Sequence, residues 1–178
     1  MKILTNIFLG LLLSFAVLFL YNSSVGAATL TLAPAAEVNS FELFWPISAG
    51  KTTASKMYSL KLWKENLRGS LIFSKARKVD YLIFLSVKRL VEAEALLVDG
   101  KGDLAGKTLD LAIVKLGKAE NIAVLAKGEG GFKNVSVVIA TRLEGMAKLA
   151  NWLKTKYPDS GTKLDQLLIS IKSLGKIL

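Results

Sequence analysis

The chain has 178 residues, with 24 basic and 14 acidic side chains, a formal net charge of +10, and neither His nor Cys. The length suffices for one domain with a sizeable hydrophobic core. Without imidazole or thiol there are no disulfides, none of the usual zinc or copper ligands, and no Ser-His or Cys-His nucleophile pair.

In chain order, Lys2 precedes an apolar run over residues 3–21, followed by the small polar stretch Asn22-Ser23-Ser24-Val25-Gly26-Ala27-Ala28. That order reads as a secretory leader over residues 1–27, with Val25-Gly26-Ala27 as the cleavage signal. The run is also just long enough to remain as an amino-terminal membrane anchor. Either way the remainder is expected outside the cytoplasm, secreted or anchored to the membrane by this segment. No later stretch reaches the length of a membrane span.

Residues 28–52 read as a linker, with Pro34, Pro46 and small side chains at Ala33, Ala35 and Ala36. Its aromatic cluster, Phe41, Phe44 and Trp45, is expected to dock on the following domain or lie at a membrane surface. From Gly50 onward the pattern turns helical, and residues 53–178 are expected to form one helical bundle domain.

Leu60, Trp63, Leu67 and Leu71 recur every three or four residues, so they predict one apolar helix face, with Trp63 expected as a core anchor in that stripe, the other reading being an interfacial aromatic. Ser74 is the expected N-cap of a long second helix that ends near Val98. Its stripe is Val79, Ile83, Ser86, Leu90, Ala93 and Leu97. Residues 81–85 are apolar on every side and would also suit a strand, but the segment's length and the Lys88/Glu92 pairing favour helix. Gly100 is expected in the left-handed C′ position and Asp103 as the cap of the next helix.

That third helix carries Leu109, Ala112, Leu116, Ala119, Ala123 and Ala126 on one face. The fourth carries Val135, Ile139, Leu143, Met146, Ala150 and Leu153. Thr162 and Asp165 make a capping-box pattern before a last amphipathic helix with Leu164, Leu167, Leu168, Ile171 and Leu174. The predicted fold is therefore all-α, an antiparallel up-and-down bundle of three long helices with two shorter ones at its ends. No segment alternates with period two.

Charge is unevenly spread. Residues 51–90 hold ten basic and two acidic side chains, whereas residues 91–130 hold five and seven. The candidate contact surface is Lys56, Lys61, Lys64, Arg68, Lys75, Arg77 and Lys78. Outside a cell its counterparts would be anionic lipid headgroups or cell-wall polymers, not nucleic acid.

The phrase Met57-Tyr58-Ser59-Leu60-Lys61-Leu62-Trp63-Lys64-Glu65-Asn66-Leu67-Arg68 resembles the opening of the domain catalogued as DUF5667. Phe73-Ser74-Lys75-Ala76-Arg77-Lys78-Val79 is similar to that family's phenylalanine-led junction into a long helix. Lys88-Arg89-Leu90-Val91-Glu92-Ala93-Glu94-Ala95-Leu96-Leu97 is similar to its most recurrent phrase. The resemblance spans about residues 54–127. The chain departs from the pattern where Lys56-Met57 replaces the proline before the tyrosine, and where the junction lacks Asp-Pro. The resemblance implies a helical fold in an exported bacterial protein and supplies no catalytic residues.

Other chemistry is sparse. Gly50-Lys51-Thr52 and Gly106-Lys107-Thr108 lack the upstream glycine and the preceding strand of a phosphate loop. Residues 99–110 have too few acids for a calcium loop. Glu92 and Glu94 fall on different helix faces, and Arg89 with both is expected to form a surface ion-pair set. No catalytic, metal-binding or cofactor-binding residue is assigned. The sequence points to a non-enzymatic interaction or scaffold module of the cell envelope that binds an anionic surface, a protein partner or a second copy of itself. The alternatives are a hydrolase working with carboxylates alone, and a self-associating bundle using the apolar side of the fourth helix (Val137, Val138, Ala140).

Overall fold

A segment that is apolar around its whole circumference must be surrounded, and residues 81–85 meet that description. A computed structural model describes residues 37–178. The leader expected over residues 1–27 and the first part of the expected linker lie outside the described residues. The elements are α1 (Ser40–Phe44), α2 (Tyr58–Ser70), α3 (Lys75–Val98), α4 (Gly102–Ala126), α5 (Phe132–Lys156), a 3-10 turn (Pro158–Ser160) and α6 (Gly161–Gly175). There is no strand among the described residues. In α3, 15 of 24 residues are buried, including all but Phe84 of the stretch that could have suited a strand.

Four helices build the core. α3 packs along α4, α4 along α6, α6 against α5, and α5 against α3. The Ser86 hydroxyl donates to the Ala112 carbonyl at 3.0 Å across the antiparallel α3–α4 hairpin. Lys163 reaches Asp110 at 2.5 Å and Ser173 reaches Glu120 at 2.6 Å. The constant offset of these two pairs means that α4 and α6 run parallel. Short connections therefore make antiparallel neighbours of α3 with α4 and of α5 with α6, while the α4–α5 loop crosses the bundle diagonal. Glu129 in that loop fixes the crossing. Its carboxylate accepts the Ala76 backbone N–H at 3.1 Å, at the amino end of α3 where the helix dipole favours negative charge.

The expected stripes of α3 to α6 are the core. Val79, Ile83, Ser86, Leu90 and Ala93 are fully buried, and so are all six stripe residues of α4. Alanines at 112, 119, 123 and 126 leave α4 narrow enough for α3 and α6 to close on it. α6 is a full member of this core, because Leu164, Leu167 and Leu174 are completely enclosed. It does not sit at an end of the bundle.

Ser74 caps α3 as expected, accepting the Arg77 N–H at 3.4 Å, and Gly100 adopts φ +71 after its last turn. The other expected caps differ. α4 starts at Gly102, so Asp103 lies inside its first turn. A 3-10 turn leads directly into α6, which leaves Asp165 free to pair with Lys154 at 2.6 Å.

Within the expected linker, Phe44 is buried against α5. The close approach depends on Gly145, where an added Cβ would meet the Phe44 ring at 2.9 Å. Phe41 and Trp45 stay exposed. Gly117, in the interior of α4, has open space around the same position. Gly117→Ala is therefore expected to raise stability by about 1 kcal/mol through helix propensity. In Gly145→Ala that gain is offset by a displacement of the ring costing roughly 1–3 kcal/mol. Urea titrations of both variants, and of Gly145→Ala in a Phe44→Ala background where the gain should return, check this. A Gly145→Ala variant as stable as Gly117→Ala would contradict the packing.

Candidate functional site

Three charges in the middle of α3 and α2 determine how α2 sits. Arg89 has no exposed surface, and neither has Glu92 one turn later. A buried guanidinium is tolerable only when carboxylates and hydrogen bonds replace its water. Arg89 Nη1 donates to both oxygens of Glu92, at 2.6 and 2.7 Å, and Nη2 donates to Glu65 of α2. Lys88 adds a second donor to Glu65 at 3.0 Å. The Tyr58 hydroxyl donates to Glu92 at 3.0 Å, and its ring lies 5.3 Å from the Arg89 guanidinium carbon. Lys61 donates to Glu92 and to the carbonyls of Ala49 and Lys51, at 3.2 and 2.6 Å.

These ion pairs tie α2 and the segment before it to α3. The expected surface set of Arg89, Glu92 and Glu94 is corrected accordingly. Arg89 and Glu92 are interior because α2 covers them, and Glu94 points toward Ser40 and Lys156 on the α1 side. Burial lowers the affinity of the Lys61 ammonium for its proton, against the opposing pull of Glu92. Burial, followed by the Glu92 charge, raises the Tyr58 phenol above its ordinary range. Arg89 Nε is the one buried side-chain polar atom without a partner among the described residues.

Turning Tyr58, Lys61 and Glu65 inward turns the opposite side of α2 outward. The sequence reading expected Leu60, Trp63, Leu67 and Leu71 in the core. All four are exposed, Trp63 by 59% and Leu71 by 65%, and Phe73 at the junction is exposed by 90%. Trp63 is therefore not a core anchor. An amphipathic helix normally buries its apolar face, and α2 buries its polar one.

The seven basic residues expected to form a contact surface divide accordingly. Lys56, Lys64, Arg68, Lys75 and Arg77 are exposed; Lys75 lies 3.9 Å from Glu129, and Arg68 and Arg77 line a groove with Asp80 and Arg142. Lys61 is drawn inward to Glu92. Lys78 is half-buried in a groove between α2 and α4. Glu65 and Tyr58 went unassigned in the sequence. Their signal was a polar stripe, Tyr58-Lys61-Glu65, at the same helical spacing as the apolar one.

Elsewhere, Val137, Val138 and Ala140 of α5 are exposed as expected. No helix among the described residues is long and apolar enough to cross a membrane. No group of three acidic side chains there could hold a metal ion.

Removing one partner from a buried charge cluster strands the others, so Arg89→Ala is expected to cost about 3–5 kcal/mol. Urea denaturation followed by circular dichroism checks this. A loss within experimental error of zero would mean that the cluster is solvated and does not hold α2.

The chain matches no curated protein and no solved structure. The family model described as "Domain of unknown function (DUF5667)" matches residues 50–159, from the segment that Lys61 binds to the end of α5 and the 3-10 turn that follows. The chain belongs to the DUF5667 family.

Proposed function

We propose that this protein is a non-enzymatic, extracytoplasmic helical module that docks on anionic membrane surfaces through the outward side of α2. The observation that carries the reading is the inverted burial of this helix. Leu60, Trp63, Leu67 and Leu71 form an apolar row facing solvent, followed in the chain by the exposed Phe73, and the same helix and its flanks carry the exposed cations Lys56, Lys64, Arg68, Lys75 and Arg77. Helices of this composition lie in the plane of a bilayer interface, with aromatic and aliphatic side chains among the acyl chains and cations among the headgroups. Thirteen residues make a rod of about 20 Å.

Each basic side chain near an anionic leaflet contributes about 1 kcal/mol. Completing the burial of a half-exposed leucine or tryptophan adds roughly as much again. The combination favours a lipid surface over a cell-wall polymer, which offers charge without an apolar phase. The extracytoplasmic placement rests on the leader pattern of residues 1–27. An amino-terminal anchor and α2 would together hold the domain against the same membrane.

A carboxylate hydrolase is less well supported. Glu65 and Glu92 approach each other only through Arg89, with Lys61 and Lys88 as further partners. This arrangement keeps both acids paired instead of presenting one to a substrate.

Co-sedimentation of the full chain with vesicles tests the reading. Binding is expected to vesicles containing phosphatidylglycerol and not to pure phosphatidylcholine, and it should weaken as salt rises. In a chain whose other tryptophans are phenylalanine, Trp63 emission should shift to the blue on binding. Trp63→Ala with Leu67→Ala should abolish binding while leaving the helical circular dichroism intact, since both side chains face solvent. Unchanged vesicle binding by that double variant would overturn the proposal. So would binding confined to purified cell-wall polymer, or a stable dimer in solution that the same double variant dissolves.

A further inference from the structure

α2 rests on α3 and stands away from α4. Between them runs an open groove of about 400 Å³. Its floor is apolar, formed by Leu82 and Leu85 of α3 and Ile122 of α4. Its walls carry Lys78 from α3 and Lys115 and Lys118 from α4, with Asn66 and Asn121 as neutral polar groups. The single carboxylate lining it, Glu65, is already held by Arg89 and Lys88. Lys115 has only a long hydrogen bond to Asn66 Oδ1, at 3.4 Å, and Lys78 and Lys118 have no ion-pair or hydrogen-bond partner among the described residues. Burial, then the nearby Lys118 and Arg89 charges, holds the Lys115 ammonium below its ordinary range.

Three ammonium groups line one apolar floor, and the single carboxylate among the lining residues, Glu65, is paired with Arg89 and Lys88 and acts on Lys115 only through space. Such a place is electrostatically incomplete, and an anion of more than one charge would relieve the repulsion among all three. Lysine ammoniums and amide N–H groups are common phosphate donors. The leucines and isoleucine beneath them suit a hydrocarbon portion of the same molecule. We infer that this groove is a binding site for a single phosphate-bearing amphiphile, with the phosphate among Lys78, Lys115 and Lys118 and the start of its apolar part on Leu82, Leu85 and Ile122.

This site is separate from the outward row of α2. It lies on the Asn66 flank of that helix and takes one molecule, not a surface. It does not rest on the docking proposal.

Titration calorimetry of the full chain tests the inference, using dihexanoyl phosphatidic acid below its micelle concentration, dihexanoyl phosphatidylcholine, and inorganic phosphate. The phosphatidic acid is expected to bind at one site, at least tenfold more tightly than either of the others. Lys115→Gln with Lys118→Gln should weaken it tenfold or more while leaving Trp63-reported vesicle binding intact. Ser70→Trp, at the exposed rim, should block the groove without removing any charge. Equal affinity for inorganic phosphate would overturn the amphiphile assignment. Phosphatidic acid binding unchanged in both variants would overturn the site.

Discussion

A guanidinium enclosed by protein with no exposed surface dictates the disposition of α2. Arg89 lies fully buried in α3, and it needs carboxylates within hydrogen-bond reach to remain charged there. Glu92 comes from its own helix, but one carboxylate does not satisfy both ends of the fork. Glu65 supplies the second, and Glu65 is on α2. Tyr58 and Lys61, two turns and one turn earlier on the same side, complete the hydrogen bonding of Glu92. The helix is thus fixed by its polar side, and its leucines and Trp63 are left outward as a geometric consequence. A cluster of this kind contributes little net stability compared with an apolar core, yet it is exacting about which face of a helix may approach.

The four-helix core provides the stability that this arrangement draws on. α4 is narrow because of its alanines, and α3 and α6 close upon it. Glu129 at the amino end of α3 locks the loop that carries the chain across the bundle to α5. α2 contributes almost nothing to that core and touches chiefly α3. A bundle that is complete without α2 can leave the helix's apolar row for another purpose. The same standoff opens the groove toward α4. Both the outward row and the lysine-lined groove therefore arise from one cause, a helix attached by charges along a single line.

Much of this fold was legible in the residues. The stripes of α3 to α6 recur at helical spacing, and every one faces the core; the one polar member, Ser86, is satisfied by the Ala112 carbonyl. Ser74 and Gly100 announced their caps by residue type. α6 looked peripheral because it is short, but length does not register that its leucines meet both α4 and α5. The caps at Asp103 and Thr162 failed because the helices begin two residues earlier than the side chains implied, a margin that residue preferences do not resolve. α2 misled for a deeper reason. Periodicity locates two faces and assumes that the oily one is buried, which holds only when the neighbouring surface is oily too. The contrary signal was present in α3, where Arg89 and Glu92 interrupt a stretch apolar on all sides and so require a polar partner. The basic surface expected from composition was legible in part. Five of its seven cations are exposed, and the other two belong to the buried cluster and the groove.

The outward apolar row exists only because α2 faces the bundle with Tyr58, Lys61 and Glu65. The chain has no native cysteine, so single cysteines report exposure without background. Placed at Leu60, Trp63 or Leu67 in the full chain under native conditions, a cysteine should react with a water-soluble maleimide as fast as in an unfolded peptide, while one at Val87 in the core stays protected. Protection at the three α2 positions comparable to that at Val87 would show that the apolar row is packed inside, and would contradict the inverted helix.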